Sequence, residues 1–223
     1  MPAVAQIRRI SAGGAIGRAW FVGDTAAFVL DEGTLLLVSP DGAERRVTPH
    51  DGAVLSSCAH ATGLVTGGDD GRIVETTADG GSRILAADAR GQWIDCVAAA
   101  PCGTVAWSAG KQAFLRSPDG AIRSIDLPST AGGLAFPRDG RYLAIAHYNG
   151  VTLWPCDGGA PDELVCKGMH TGIALNPAGD FVVTRMRDPA LQGWCLRERS
   201  EHAMPGYAAP VRSIDWSADG NWL

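Results

Sequence analysis

The chain has 223 residues, enough to bury a sizeable core, and is 46% apolar but only 19% charged, below a usual share of about 25%. Its 29 glycines and 13 prolines stay under the combined ~25–30% of low-complexity chains, so disorder, collagen and coiled coil are excluded and a turn-rich protein of many short strands is expected. The net charge is −5, with 24 acidic and 19 scattered basic residues, so the basic face that displaces counterions from nucleic acid is missing.

No stretch approaches the ~18 consecutive apolar residues of a membrane-spanning helix. The start, Met1-Pro-Ala-Val-Ala-Gln-Ile-Arg-Arg9, has no apolar run preceded by positive charge and does not read as a signal peptide. A cytoplasmic protein is expected, with neither nucleic acid nor membrane as partner. Cysteines at 58, 96, 102, 156, 166 and 195 show no two-residue spacing of a zinc or redox motif. Most lie in apolar stretches such as Trp93-Ile-Asp-Cys-Val97, where cysteine acts as a small apolar side chain.

In chain order, residues 3–10 (Ala-Val-Ala-Gln-Ile-Arg-Arg-Ile) read as one strand ahead of a series of repeats. Glycine then closes a short turn at 23, 63, 103, 140, 179 and 220, at intervals of 40, 40, 37, 39 and 41. Each is followed by an apolar run rich in strand formers, such as Thr25–Leu30, Arg141–Ala146 and Asp180–Thr184. A second turn series follows those runs at Asp31-Glu32-Gly33, Asp69-Asp70-Gly71, Ser108-Ala109-Gly110 and Tyr148-Asn149-Gly150. A third lies at Asp41-Gly42, Asp79-Gly80, Asp119-Gly120 and Asp157-Gly158, with Ser-Pro-Asp-Gly at both 39–42 and 117–120. Such Asp-Gly and Asn-Gly dipeptides read as tight hairpins with φ > 0 at both central positions. Three phased turns per period of about forty residues imply four antiparallel strands per period, the blade of an all-β propeller. The repeats run over residues 14–50, 51–90, 91–128, 129–168 and 169–207, with a sixth begun at 208–223.

Within each period the residues resemble the WD-repeat family. Phe136-Pro-Arg-Asp-Gly-Arg141, Asn176-Pro-Ala-Gly-Asp180 and Trp216-Ser-Ala-Asp-Gly-Asn221 are similar to that family's turn before the second strand. Val151-Thr-Leu-Trp154 and Gln192-Gly-Trp194 are similar to its third strand, which ends in tryptophan. His50 followed by Asp70 resembles its histidine–aspartate pair, and the resemblance implies that the two bond each other within the blade. The copies are degenerate: Pro155 and Cys195 replace the aspartate after tryptophan, while Arg90 and Tyr207 take the histidine position. Seven blades are the commonest number in the family. Five complete repeats and a partial sixth therefore imply a fragment, lacking on the order of 60–70 residues of a seven-bladed ring. In that reading residues 3–10 are the strand that closes the ring.

Chemistry is sparse. No serine occupies a nucleophile elbow and no glycine-rich loop opens a helix to hold phosphate. A zinc site from His147, Cys156, Cys166 and His170 has suitable ligand types, but spacings of 9, 10 and 4 match no motif. His147 is read on a hairpin turn at one rim, and His170 and His202 in connections between blades. Asp95 and Asp215 are the carboxylates available for the alternative reading, a hydrolase- or lactonase-like propeller with a metal in its channel. The leading expectation is a non-catalytic scaffold without cofactor that binds a protein or peptide. Its candidate binding face carries the inter-blade loops and the turns between second and third strands: Asp69, Arg90, Trp93, Tyr148, Arg187 and Tyr207.

Overall fold

A computed structural model describes residues 8–30 and 33–223 of the chain. The strand expected over residues 3–10 lies mostly outside the described residues, and residues 8–10 are not in a strand. Asp31 and Glu32 of the first hairpin turn lie outside them as well. Every element is a strand, and no helix among the described residues is long and apolar enough to cross a membrane.

Three consecutive four-stranded sheets run in simple antiparallel order. The first contains β1 (Ile16–Val22), β2 (Thr25–Leu30), β3 (Leu35–Val38) and β4 (Glu44–Val47). The second contains β5 (Val54–Ala59), β6 (Leu64–Gly68), β7 (Arg72–Thr76) and β8 (Ser82–Ala87). The third contains β9 (Ile94–Ala99), β10 (Val105–Ala109), β11 (Gln112–Arg116) and β12 (Ile122–Asp126). The remaining strands form one six-stranded sheet: β13 (Gly133–Ala135), β14 (Tyr142–Pro155), β15 (Asp162–Leu175), β16 (Phe181–Met186), β17 (Ala190–Cys195) and β18 (Ser200–Pro205).

Two elements of that last sheet are longer than the repeat predicts. β14 doubles back at Asn149 (φ 72°), so that the Cys156 N–H donates to the Arg141 carbonyl at 2.9 Å. β15 pairs first with β14, as in Val151↔Leu164, and then with β16, as in Ile173↔Thr184. One continuous strand thus serves two successive meanders.

The middle strands explain how these segments hold together. β3, β6 and β10 are buried along their whole length, so they carry apolar or small residues on both faces rather than alternating. The outermost strands β4 and β12 are largely exposed. Apolar layers lie between successive sheets. Val22, Ala27, Leu35 and Leu37 of the first meet Leu64 of the second. Val65 and Ile73 of the second meet Ile94, Val97 and Trp107 of the third. Leu115 of the third meets Leu143, Ile145 and Trp154, and Tyr142 and Leu153 meet Val182 and Trp194. The first strands also adjoin one another, β5 lying against β1 and β9. The Trp20 indole N–H donates to the Ser57 hydroxyl at 2.9 Å, and the Val97 N–H to that of Ser56 at 3.0 Å.

The turns correct one expectation. In the third series only the glycines are left-handed, with φ of 86°, 87°, 93° and 97° at Gly42, Gly80, Gly120 and Gly158. The preceding aspartates are not among the positive-φ residues. Their carboxylates accept the N–H two residues on, as Asp119 does from Ala121 at 3.1 Å. Each loop is thus a turn closed by one left-handed residue, and its hydrogen-bonding aspartate and permissive glycine explain the dipeptide. The sixth repeat differs too. Gly220 N–H donates to Ser217 O at 2.9 Å to make the expected turn, but residues 211–216 form no strand. Their backbone finds no ladder partner among the described residues, and is held by Arg185 and by Phe181 against Trp216, ring centroids 6.3 Å apart.

Leu64 is fully buried between the first two sheets. Leu64→Ala is expected to cost about 2–5 kcal/mol in urea unfolding, whereas exposed Val165→Ala is expected to stay within about 0.5 kcal/mol.

Candidate functional site

Because each meander starts at one end and reverses three times, its second-to-third-strand turn and its connection to the next sheet share that same end. Backbone hydrogen bonds tie these segments together: Asp69 N–H to Ala53 O (3.1 Å), Asp88 N–H to Gly71 O (2.8 Å) and Arg187 N–H to Met169 O (2.9 Å). Asp69, Arg90, Trp93, Tyr148, Arg187 and Tyr207 therefore all lie at this loop-bearing end.

Their surroundings differ. Asp69 is half-buried against Gly52, where a Cβ would stand 2.1 Å from its Oδ1. Arg90 is held on both sides, donating from Nη2 to Gln112 Oε1 at 2.9 Å while its own N–H donates to Asp88 Oδ2, also at 2.9 Å. Burial raises the Asp88 carboxyl, but the N–H groups of Gln92 and Arg90 and the Arg90 charge outweigh it and hold the pKa low. Trp93 is 62% exposed and Tyr148 52%. Tyr148 is anchored by its backbone, whose N–H donates to the Ser129 hydroxyl at 2.9 Å. Met169, opposite Tyr148 in the strand pairing, adds exposed apolar surface. Arg187 and Tyr207 are exposed.

Beneath this end run buried histidine–threonine pairs. His50 Nδ1 donates to Asp70 Oδ1 at 2.9 Å, which leaves Nε2 to accept the Thr66 hydroxyl at 2.8 Å. Asp70 also accepts the N–H groups of Asp51 (3.2 Å) and Arg72 (3.0 Å), locking the β6–β7 turn to the preceding connection. Position 68 must be glycine here, since a Cβ would lie 2.4 Å from His50 Nδ1.

His147 lies beside the β14 hairpin at Asn149, and His170 where β15 passes from one meander to the next, as the sequence suggests, but neither is open to solvent. Both are buried. Burial depresses the His170 pKa, so its neutral ring donates from Nε2 to Cys166 O at 3.0 Å and accepts the Thr184 hydroxyl at Nδ1, 2.8 Å. The Trp194 ring lies 5.9 Å away. His147 faces the Tyr148 carbonyl through Nδ1 (2.9 Å) and Thr152 through Nε2 (2.9 Å), and Thr152 donates to Glu163 at 2.7 Å. The only sequence signal for these pairs is a threonine 5 or 14 residues after the histidine, which is too common to single out.

With their ring nitrogens engaged, His147 and His170 are not brought together with Cys156 and Cys166 as ligands. Burial pushes the Cys156 thiol up to about 11 and raises Cys166 as well. Among the described residues no three His, Cys, Asp or Glu side chains group to hold a metal ion. Asp95 and Asp215 are both exposed and do not belong to such a group. No protein-family model matches the chain, and no curated protein does so.

Burial raises the Asp70 carboxyl, but hydrogen bonds from His50, Arg72 and Asp51 outweigh it, and its pKa falls below the ordinary aspartate value of 3.8. With the folded value lowered, Asp70 contributes stability that is complete above about pH 3.8 and is lost as pH falls through the folded pKa. Asp70→Asn should therefore be less stable than the wild type at neutral pH, and urea titrations should show that gap closing below pH 3.8.

Proposed function

We propose that the chain is a β-propeller of WD-repeat type acting as a non-catalytic scaffold, with a protein or peptide partner captured at the loop-bearing end. One observation carries this reading: exposed Trp93, Tyr148 and Tyr207 share that end with Arg90 and Arg187. Aromatic and arginine side chains are the usual anchors of protein interfaces, because they bring large contact area and fixed hydrogen-bonding geometry. Backbone hydrogen bonds hold the Arg90 segment against the β6–β7 turn, Tyr148 to Ser129 and Arg187 to Met169, which lowers the ordering entropy to be lost at these positions on binding.

The family reading draws further support from the fifth repeat. His170 accepts the Thr184 hydroxyl beside the Trp194 ring, repeating the buried His50–Thr66 pair of the second repeat.

The test is affinity capture from cell extract with the double charge reversal Arg90→Glu/Arg187→Glu, circular dichroism serving to confirm the fold. Capture of the partner is expected to fall roughly tenfold or more. Undiminished capture by a folded double variant would exclude this end as the binding face.

A further inference from the structure

A groove of about 620 Å³ opens between the outer edges of the first two sheets. Its walls include Arg45, Arg46 and Thr48 on one side and Gly80, Arg83 and Ile84 on the other. The chain carries a net charge of −5, yet the lining residues include Arg45 and Arg83 and no acidic side chain, while Arg46 lines the groove but turns its guanidinium to the Ala12 carbonyl. Such a local reversal of sign focuses a positive field into a concave site.

The arginines are arranged rather than merely crowded. Arg45 makes no hydrogen bond or ion pair with another described residue, and its chain lies across Gly80, where a Cβ would stand 2.4 Å from Arg45 Cδ. The missing side chain at position 80 lets Arg45 reach from the first sheet over to the second. Arg83 is fixed by Glu75, whose Oε2 accepts its Nε–H at 2.5 Å. Glu75 is 1% exposed, and its other oxygen takes His60 Nδ1 at 2.8 Å and the Thr62 hydroxyl. With Nε held and Glu75 filled, both terminal nitrogens of Arg83 are without a partner among the described residues. Arg46 donates only to the Ala12 carbonyl, at 2.5 Å. The nearby Asp79 is engaged within its own turn by Thr77 and the Gly81 N–H.

The walls are also sheet edges. β4 and β8 each end their sheet, so one side of each backbone has no strand partner and is a template for another. Ile84 on β8 is strongly exposed between these cations. The six-residue edge Ser82–Ala87 sets Arg83 beside exposed Ile84, and with Arg45 reaching over from the first sheet it suits an extended peptide that carries acidic and apolar residues.

We propose that this groove binds an extended acidic peptide along the open edge of β8, its carboxylates meeting Arg45 and Arg83. This site is separate from the loop-bearing end and does not depend on the scaffold reading.

The probe is a fluorescein-labelled octapeptide of alternating glutamate and valine, titrated against the full chain by fluorescence anisotropy. Glutamine–valine and lysine–valine versions serve as controls. The acidic peptide should bind, and binding should weaken as salt is raised. Arg45→Gln and Arg83→Gln should each weaken it about fivefold, and the double variant more than tenfold. Arg138→Gln, an exposed arginine outside the groove, should leave it unchanged. These arginines are at the surface, so circular dichroism should report intact folds. Amide exchange should slow along residues 82–87 when the acidic peptide is present. Equal binding of the glutamine version, or wild-type affinity in the folded double variant, would overturn the proposal. So would easier displacement by oligouridylate than by unlabelled peptide. Loss of peptide binding only in Arg90→Glu/Arg187→Glu would assign it to the loop-bearing end instead and equally overturn the groove.

Discussion

A sheet whose central strands are buried on both faces has little stability alone, because removing either neighbour returns a full apolar face to water. That condition governs this molecule. Leu35 and Leu37 of the first sheet close on Leu64 of the second, while Val65 and Ile73 of the second close on Ile94 and Trp107 of the third. Neighbouring residues 64 and 65 point into different layers, as alternate positions in a strand must. The second and third sheets therefore each complete two cores, and each of those cores is shared with a neighbouring sheet.

Such sharing constrains everything else. The first strands of successive meanders, β1, β5, β9 and β13, stand side by side, and the Trp20–Ser57 and Ser56–Val97 bonds stitch three of them. Connections between sheets must be short and hold a set angle, which loads them with buried polar groups. Their cost is offset only where each group finds a partner. The His50–Thr66–Asp70 set does this between the first and second sheets, and His170–Thr184 does it again later in the chain. A by-product is a rim of rigid turns on which Trp93 and Tyr148 are displayed. The outer edges are left less crowded, and the groove between β4 and β8 arises there.

Much of this architecture was legible in advance. Three phased turn series announce four-stranded antiparallel meanders, and the sheets carry them. The His50–Asp70 bond was implied by the family resemblance and is present at 2.9 Å. Other features were hidden for physical reasons. The burial of His147 and His170, beside a turn and in a connection, was not visible because burial depends on which strands close over them, not on their neighbours in sequence. Arg45 and Arg83 are 38 positions apart, and nothing local says that they face one groove. The Asp-Gly dipeptides suggested hairpins with two left-handed residues, whereas the loops use one, because the aspartate side chain bonds the backbone and the glycine alone takes the left-handed turn.

The sequence by itself determined the period, the all-β class and the positions of most turns. These are local matters: glycine alone tolerates the left-handed backbone cheaply, and apolar runs of five residues bounded by such turns have few alternatives to strands. Only the tertiary structure decided which faces meet, which histidines are buried, where β15 runs on from one meander into the next, and why residues 211–216 form no ladder. Those outcomes rest on contacts between residues tens of positions apart, whose energies come from shared burial and paired polar groups rather than from any property of the residue alone.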